Sequence, residues 1–276
     1  MSSSPLTDGH GLLRPWERGR AFTLESHPPT PGLERLIDRH WTVCWDLRGR
    51  APFRQEILPH PSINLVREPR GARVFGVPTR RDVRLLHDLG WAAGTKFRPG
   101  AFTAVTGIDA AAITDGSMPV PAILAVRSPI TRGASADDPP DLFRTEVESR
   151  LAPYAEIDDP ALELVGTVMA SMRDLPPDTR VRQLAARHLV APRTLQRLFR
   201  RYVGVSPKWV LKRLRIHDAV EQLAIGPDRP WTELALELGY YDHAHFIRDF
   251  RLVTGRSPTD FLAEAQAAPT AAPANP

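Results

Sequence analysis

The spacing of hydrophobic positions changes from a two-residue to a helical period along the chain. From about residue 33 to 127 the apolar runs are short, and Trp41, Val43 and Trp45 alternate with smaller residues as in a half-buried strand. Five or six such runs, separated by turns containing Pro, Gly and Asp, predict a small β-barrel or sandwich. The segment HDLG at 87–90 is interpreted as a hairpin connection between two of the strands.

Helical spacing begins after a predicted boundary at about 128–140, where the sequence is SPITRGASADDPP. Apolar positions at 142–151 and at 162–169 predict two helices. We expect these helices to connect two domains or to pack a dimer.

An internal repeat occupies the C-terminal third of the chain. LQRLFRRYVGVSP at 195–207 matches FIRDFRLVTGRSP at 246–258, an offset of 51 residues. Upstream, Val181 and Leu184-Ala185 match Trp231 and Leu234-Ala235 at an offset of 50, so one turn differs by a single residue. Each copy predicts a short helix, a turn and a longer helix, which together form a helix-turn-helix unit.

The longer helix of the first unit has two distinct faces. Pro192 fits its first position, where a missing N–H costs no hydrogen bond. Its predicted core face is Leu195, Leu198, Phe199 and Tyr202. Its outward stripe is Arg193, Gln196, Arg197 and Arg200. Arg can bond guanine O6 and N7 and Gln can bond adenine N6 and N7, so the stripe predicts base contacts in a major groove, with a solvated helix face as the alternative.

The second unit has a less polar outward stripe. Asp242 is a suitable N-cap, and the inward positions are Phe246, Phe250 and Val253. The outward residues are Ala244, Ile247, Arg248 and Arg251, with His243 beside them. We expect this surface to contact phosphates and thymine methyl groups more than it specifies bases by hydrogen bonds.

A predicted helix from Pro207 to about Ala224 separates the two units. Eighteen helical residues span about 27 Å. A rigid helix of that length can hold two recognition helices about one DNA turn apart, roughly 34 Å. The two units could then enter successive major-groove segments on one face of a duplex.

The charge distribution favours a polyanionic partner more strongly than the net charge of +4 does. From Arg180 to Arg215 there are eleven Arg or Lys residues and no Asp or Glu. Because these residues lie on predicted helices, the run favours nucleic acid over an ordinary solvated face. Arg213 and Arg215 are expected to be structural or to face phosphates.

Several chemistries lack the residues they need. Cys44 is the only cysteine, which excludes a disulfide framework and a cysteine zinc site within one chain, and we predict a buried thiol. His243 and His245 are two residues apart and do not share a helix face, so no metal site is predicted. His60 is interpreted as a turn residue, and Trp41, Trp45, Trp91 and Phe97 as aromatic core. No catalytic residue or cofactor is predicted.

The stretch at about 178–263 resembles the DNA-binding domain of the AraC/XylS-type regulators. The resemblance rests on Leu184-Ala185, LQRLF, GVSP, Arg213-Leu214-Arg215, LALELGYYDHAHFIRDFR and GRSP. It implies that Arg193, Gln196 and Arg197 in the first unit, and Ala244, Ile247 and Arg248 in the second, occupy base-contacting positions.

The sequence departs from the family pattern in the first turn, where the family often has Gly and a capping Ser. Here Leu189 and Ala191 stand at those places, and the lost cap costs about 1 kcal/mol. Tyr240 replaces a usual Phe, which is a mild change. Residues at about 33–107 resemble the cupin-like N-terminal domain of some of these regulators, which implies a sensing or dimerisation module.

The predicted fold class is α+β, with a cupin-like N-terminal barrel or sandwich and an all-α C-terminal domain. The predicted divisions are a disordered tail at 1–20, a sensing domain at 21–130, a helical linker at 131–177, a double helix-turn-helix domain at 178–265 and a disordered tail at 266–276. No apolar run of about 18 residues and no secretory start is found, so the cytoplasm is the expected location.

The predicted function is sequence-specific DNA binding for transcription regulation, under the control of an effector whose site is unknown. The predicted partners are double-stranded DNA, RNA polymerase, a small-molecule effector and a second copy of the chain, with no membrane. Two alternatives stay open. One is an enzyme fused to the DNA-binding domain, of a repair or amidase-like type, and the other is an interaction module with only one functional DNA-binding unit.

Overall fold

The computed structural model describes residues 21–125, 140–176, 178–226 and 230–267. The predicted tail at 1–20, nearly all of the tail predicted at 266–276 and the boundary near 128–139 lie outside these ranges. The described part has a β-rich region followed by a helical one, which confirms the predicted fold class.

The N-terminal strands form two sheets that pack against each other. The strands are β1 (Thr23–His27), β2 (Ile37–Leu47), β3 (Phe53–Ile57), β4 (Asn64–Glu68), β5 (Gly71–Phe75), β6 (Asp82–Leu86), β7 (Asp88–Phe97) and β8 (Ser117–Pro119). One sheet has the order β1-β2-β7-β4-β5-β8, and β3 pairs with β6 in the other. A cluster containing Leu24, Leu47, Leu86 and Phe53 joins the sheets, as in a sandwich.

The predicted hairpin at 87–90 is wrong. Although β6 and β7 are adjacent in the chain, β6 pairs with β3, whereas β7 pairs with β2 and β4. Asp88 has φ 53° and the chain passes from one sheet to the other at this point. Strand pairing here is decided by the apolar cluster between the sheets, to which Leu86 belongs, and not by the local turn sequence.

The tryptophans of β2 lie over glycines of the neighbouring strand. Trp41 is opposite Gly94 and Trp45 is opposite Gly90 in the β2–β7 ladder. A Cβ atom at Gly94 would lie 2.2 Å from the Trp41 indole, so only glycine leaves room for the ring. Both rings are half-buried, while Phe97 and Trp91 are buried, in agreement with an aromatic core.

Nine α-helices follow or flank the sheets in the described residues. They are α1 (Ala101–Thr106), α2 (Pro140–Leu151), α3 (Pro160–Ser171), α4 (Val181–Arg187), α5 (Pro192–Val203), α6 (Pro207–Ile225), α7 (Trp231–Glu237), α8 (His243–Thr254) and α9 (Pro258–Ala267). The first unit is α4 and α5, and the second is α7 and α8. Their bounds repeat at offsets of 50 for the short helices and 51 for the long ones, as the sequence predicts.

Two hydrophobic cores divide the helices unequally. The first unit, α2, α3 and the start of α6 share one continuous core with the six-stranded sheet. The second unit, the rest of α6 and α9 form a separate core, to which the N-terminal region contributes Leu58. Helices α2 and α3 therefore connect the sheet to the first unit.

Leu189 adopts a conformation that favours glycine. Its φ is 55°, and the residue at the matching place in the second unit is Gly239, with φ 76°. Because Leu189 is 94% exposed, its side chain gains almost no burial in return. The leucine that stands where the family often has glycine therefore strains the backbone at this turn.

We expect Leu189→Gly to raise the free energy of unfolding by about 0.5–1 kcal/mol, since it removes left-handed strain from a non-glycine residue. Urea titration followed by circular dichroism measures the change. Ala186→Gly, at an exposed position inside α4, is the control and should lower stability by about 1 kcal/mol. A loss of stability in Leu189→Gly would contradict the assignment of strain.

Candidate nucleic-acid interface

Helix α5 presents the predicted polar stripe to solvent. Pro192 occupies its first turn and Gly204, with φ 88°, ends it. The buried side of the helix consists of Leu195, Phe199, Tyr202 and Val203, with Leu198 half-buried. The opposite side exposes Arg193, Gln196, Arg197 and Arg200. Because the buried side fixes the rotation of the helix, all four polar side chains extend away from the core.

Helix α8 is built in the same way with different surface chemistry. Asp242 caps it by accepting a hydrogen bond from the Ala244 amide at 2.9 Å. Phe246, Phe250, Val253 and Thr254 are buried. His243, Ala244, Arg248 and Arg251 are exposed, and Ile247 is half-buried. The surface thus offers two guanidinium groups and an apolar strip, which suits phosphate and methyl contacts.

The two histidines at the start of α8 point to different surroundings. The His243 ring meets Trp231 edge-on at 5.6 Å, whereas His245 lies 3.3 Å from Lys212 Nζ and from the Asp249 carboxylate. Among the described residues, no group of three or more His, Cys, Asp or Glu side chains could hold a metal ion.

Most of the basic run at 180–215 is exposed. Eight of its eleven side chains are solvent-exposed: Arg180, Arg182, Arg187, Arg193, Arg197, Arg200, Arg201 and Lys208. Arg180 and Arg182 also line an open cleft of about 400 Å³ with Asp178 and Gln183, which the sequence did not predict. A surface of this charge attracts a polyanion over a distance of about 10 Å at moderate salt.

Arg213 is a structural residue, the first of the two roles expected for it. Its Nη2 donates to the Thr79 carbonyl at 2.8 Å, and its guanidinium stacks on the Trp209 ring at 4.5 Å. Burial lowers its pKa to about 10. The neighbouring Lys212 bonds Asp249 of α8 at 2.9 Å and so ties α6 to the second unit.

Cys44 is exposed, so the prediction of a buried thiol is wrong. It is paired between Thr23 of the edge strand β1 and Trp91 of β7. Thr42, two residues earlier and on the same side of β2, is buried and lies beside Phe143 of α2. Helix α2 therefore packs on this side of β2 at Thr42 but does not extend over Cys44.

A polar network around the buried residues His40 and Thr95 fastens α2 to the sheet, and no sequence pattern indicated it. His40 Nδ1 lies 2.8 Å from the Thr95 hydroxyl, and its Nε2 lies 3.1 Å from Glu148 of α2. Glu148 also accepts hydrogen bonds from the amide and hydroxyl of Thr30. Burial is the largest influence on His40 and lowers its pKa. The four residues are up to 118 positions apart, so no local pattern links them.

His60 lies in the loop between β3 and β4, where sequence analysis placed a turn, and it has a partner in the C-terminal domain. Its ring meets that of His217 of α6 in a T-shaped contact at 4.3 Å. His217 Nε2 donates to the Pro59 carbonyl at 2.9 Å. The loop after β3 is therefore part of the contact between the domains.

Acidification is expected to weaken this contact. Burial lowers the pKa of His217 to about 3, below its ordinary value of 6.5. Since the unfolded chain binds the proton more readily, the stability from the neutral ring is complete above pH 6.5 and is lost as the pH falls towards 3, by about 1.4 kcal/mol per pH unit.

Urea titrations of the wild type and of His217→Gln between pH 7 and 5 measure this effect. The wild type should lose more stability than the variant over that interval, because the glutamine does not titrate. Equal pH dependence of the two proteins would contradict the expected role of His217.

Two parts of the chain match known family models. Residues 184–264 match a family model described as a helix-turn-helix domain. The C-terminal domain is a helix-turn-helix domain of the AraC type. The chain is therefore a DNA-binding transcription regulator. Residues 25–119 match a domain of unknown function (DUF6597).

Several solved structures are similar at low identity. The C-terminal domain of AraT, a response regulator from Geobacillus stearothermophilus, has 22% identity and a TM-score of 0.35 over 38% of this chain and 86% of its own. ToxT from Vibrio cholerae O395 has 8% identity and a TM-score of 0.39 over 90% of this chain and 99% of its own.

A ToxT structure from Vibrio cholerae strain SCE256 with unsaturated fatty acid bound has 9% identity and a TM-score of 0.38, over 94% of this chain and 99% of its own. No curated protein sequence matches the chain. Among the helices that the structure describes, none is both long and apolar enough to cross a membrane.

Proposed function

We propose that α5 and α8 enter successive major-groove segments of one DNA duplex. The observation that supports this most directly is the exposure of Arg193, Gln196, Arg197 and Arg200 on a helix whose other face is fully packed. Three guanidinium groups and a carboxamide on one exposed ridge match the donor and acceptor pattern of the groove. Helix α6 has 19 residues, about 28 Å, which suits two helices placed roughly one DNA turn apart.

The two recognition helices are proposed to have different roles. Helix α5 supplies base specificity through Arg193, Gln196 and Arg197, with Arg200 on a phosphate. Helix α8 supplies phosphate contacts through Arg248, Arg251 and His243 and apolar contacts through Ala244 and Ile247. An asymmetric target site follows from this division, because the two half-sites are recognised by different chemistry.

The remaining partners belong to the same proposal. The β-rich region at 21–130 acts as a sensing or dimerisation domain for a small-molecule effector, the helical segment at 131–177 as a connector, and 178–265 as the DNA-binding domain. ToxT supports the effector by analogy, since its structure contains a fatty acid. Contacts with RNA polymerase and a homodimer complete the proposed assembly.

Selection from fragmented genomic DNA by the purified full-length protein tests the proposed function. Recovered fragments should share an asymmetric sequence with two different half-sites about one DNA turn apart, and footprinting at moderate salt should protect both half-sites. The absence of any preferred sequence, with and without added cell extract as a source of effector, would overturn the proposal.

A module in which only the first unit contacts DNA is the second candidate, favoured by the lower polarity of the α8 surface. The double variant Ala244→Glu/Arg248→Glu distinguishes the two. A carboxylate on this surface would repel phosphates. If α8 lies on DNA, the double variant should bind the selected target at least about tenfold more weakly. Unchanged affinity would support the one-unit candidate.

A further inference from the structure

The N-terminal domain holds the first unit mainly by apolar packing. Phe199 and Val203 of α5 share a core with Phe102 and Val105 of α1. Two hydrogen bonds add to this packing, from the Thr103 hydroxyl to the Arg201 carbonyl at 3.2 Å and from the Thr114 hydroxyl to the Gly204 carbonyl at 2.8 Å. The first unit and the sheet therefore form one packed body.

The second unit contacts the same domain mainly through polar groups. Glu56 of β3 accepts a hydrogen bond from Arg81 at 2.9 Å and forms an ion pair with Arg256, in the turn between α8 and α9. Arg256 also bonds Glu264 of α9 at 2.6 Å. The side chains of Glu56 and Arg256 are only 7% and 9% exposed, so this pair is little screened by salt.

A loop of the N-terminal domain supports the ion pair on one side. The Thr79 carbonyl accepts from Arg213, and the Thr79 amide and hydroxyl are both held by Asp115 at 2.6 Å. The Arg81 guanidinium lies so close to Gly255 that a Cβ there would be 2.4 Å from it. The glycine that ends α8 thus leaves room for this loop.

The turns after α5 and α8 are equivalent in the repeat, with sequences GVSP and GRSP, and both contact the N-terminal domain. At the first turn the contact is an apolar core with a hydrogen bond from a threonine hydroxyl to a backbone carbonyl, and at the second it is a buried ion pair. Since α8 ends at Thr254, a restraint on Arg256 acts directly on the end of the second recognition helix.

We propose that the Glu56–Arg256 ion pair fixes the second recognition helix relative to the first, and that it thereby sets which half-site spacing the protein accepts. This inference rests on the proposed binding of DNA by both units. One base pair of spacing moves a half-site by about 3.4 Å along the duplex and about 35° around it. Without the ion pair the second unit is still held by α6, by its own core with Leu58 and by the contact of His60 with His217, and it would tolerate such a shift better than one also fixed at Arg256.

The experiment compares DNA targets that differ only in spacing. The selected target is altered by inserting or deleting one or two base pairs between its half-sites, and affinities are measured by fluorescence anisotropy for the full chain. The test variant is Glu56→Gln/Arg256→Gln, which replaces the ion pair by two neutral amides, of the same size at Glu56 and shorter at Arg256. Arg256→Lys keeps the charge but loses the paired donors. Arg84→Gln, which breaks a partly buried pair with Asp82 on the same small sheet, is the matched control.

The wild type and Arg84→Gln should bind at least about tenfold more weakly when the spacing changes by one base pair, because one half-site then fits its recognition helix poorly. The double variant should bind the original target within about threefold of wild type and lose less than about threefold on the shifted targets, with Arg256→Lys between them. A purely structural role would lower affinity for all spacings alike.

Two results would overturn the inference. An unchanged spacing preference in the double variant would show that α6 and the remaining contacts with the N-terminal domain set the geometry, while the proposed function would stand. Weakened binding of the isolated first half-site would show that the ion pair supports the fold rather than the spacing. If the wild type itself had no preferred target, the proposed function would fail, and this inference with it.

Discussion

Replacing Arg197 with alanine is expected to weaken specific DNA binding by about 1–3 kcal/mol, which is about 5-fold to 150-fold in affinity. Arg197 lies at the middle of the exposed α5 stripe, two turns before the helix ends at Val203. Its side chain is exposed while the neighbouring Leu198 and Phe199 anchor the helix. The variant should therefore fold normally and lose only contacts made in the complex.

The form of the loss identifies the contact. If Arg197 bonds a guanine, the variant should relax the base preference at one position of the selected target and leave the others unchanged. Affinity measured for all four bases at each position gives this result. Arg70→Ala, in the exposed turn between β4 and β5, removes the same charge far from the helix and should leave the preference unaltered. An equal loss on every sequence would show that Arg197 contacts phosphate only.

The helices α5 and α8 could be predicted from the sequence because their determinants are local. Pro192 and Asp242 mark the starts, Gly204 and Gly255 mark the ends, and apolar residues at helical spacing mark the buried faces. The repeat then identified the two helices as equivalent without any structure. The exposed stripes follow from the same spacing, since fixing the buried face also fixes the opposite one.

The errors concern features that distant residues decide. Leu86 joins the cluster between the sheets, so β6 pairs with β3 instead of forming the hairpin predicted from HDLG. Cys44 is exposed because α2, which packs on the same side of β2 at Thr42, does not reach it. The partner of Arg213 is Thr79, 134 residues earlier, and no periodicity could have shown it.

The contact between the domains was the largest omission. Glu56, Arg81 and Arg256 each have an unremarkable place in the sequence, and only the docked structure brings them together. The sequence pattern does show that both units end in the same type of turn. What it cannot show is that the two turns meet the N-terminal domain by different means, because that depends on how the sheets are placed.

Replacing Phe250 with alanine is expected to destabilise the second unit by about 3–5 kcal/mol, the range for removing a buried phenylalanine ring. Phe250 is fully buried and packs against Phe246 at 5.6 Å and Phe261 at 5.7 Å. Because Leu58 is the one described residue of the N-terminal region in this core, the opening should be confined to α7, α8, α9 and the end of α6. Hydrogen exchange followed by mass spectrometry locates the opening.

Phe199→Ala is the equivalent change in the first unit and should act differently. Phe199 is also fully buried, but its core is continuous with the sheet, so the cavity should raise exchange in α1 and β7 as well as in α5. Phe250→Leu, which retains most of the volume, should cost less than about 1.5 kcal/mol. Increased exchange across the sheet in Phe250→Ala would contradict the division into two cores. Local opening in that variant would mean that the second unit can unfold while the first stays joined to the N-terminal domain.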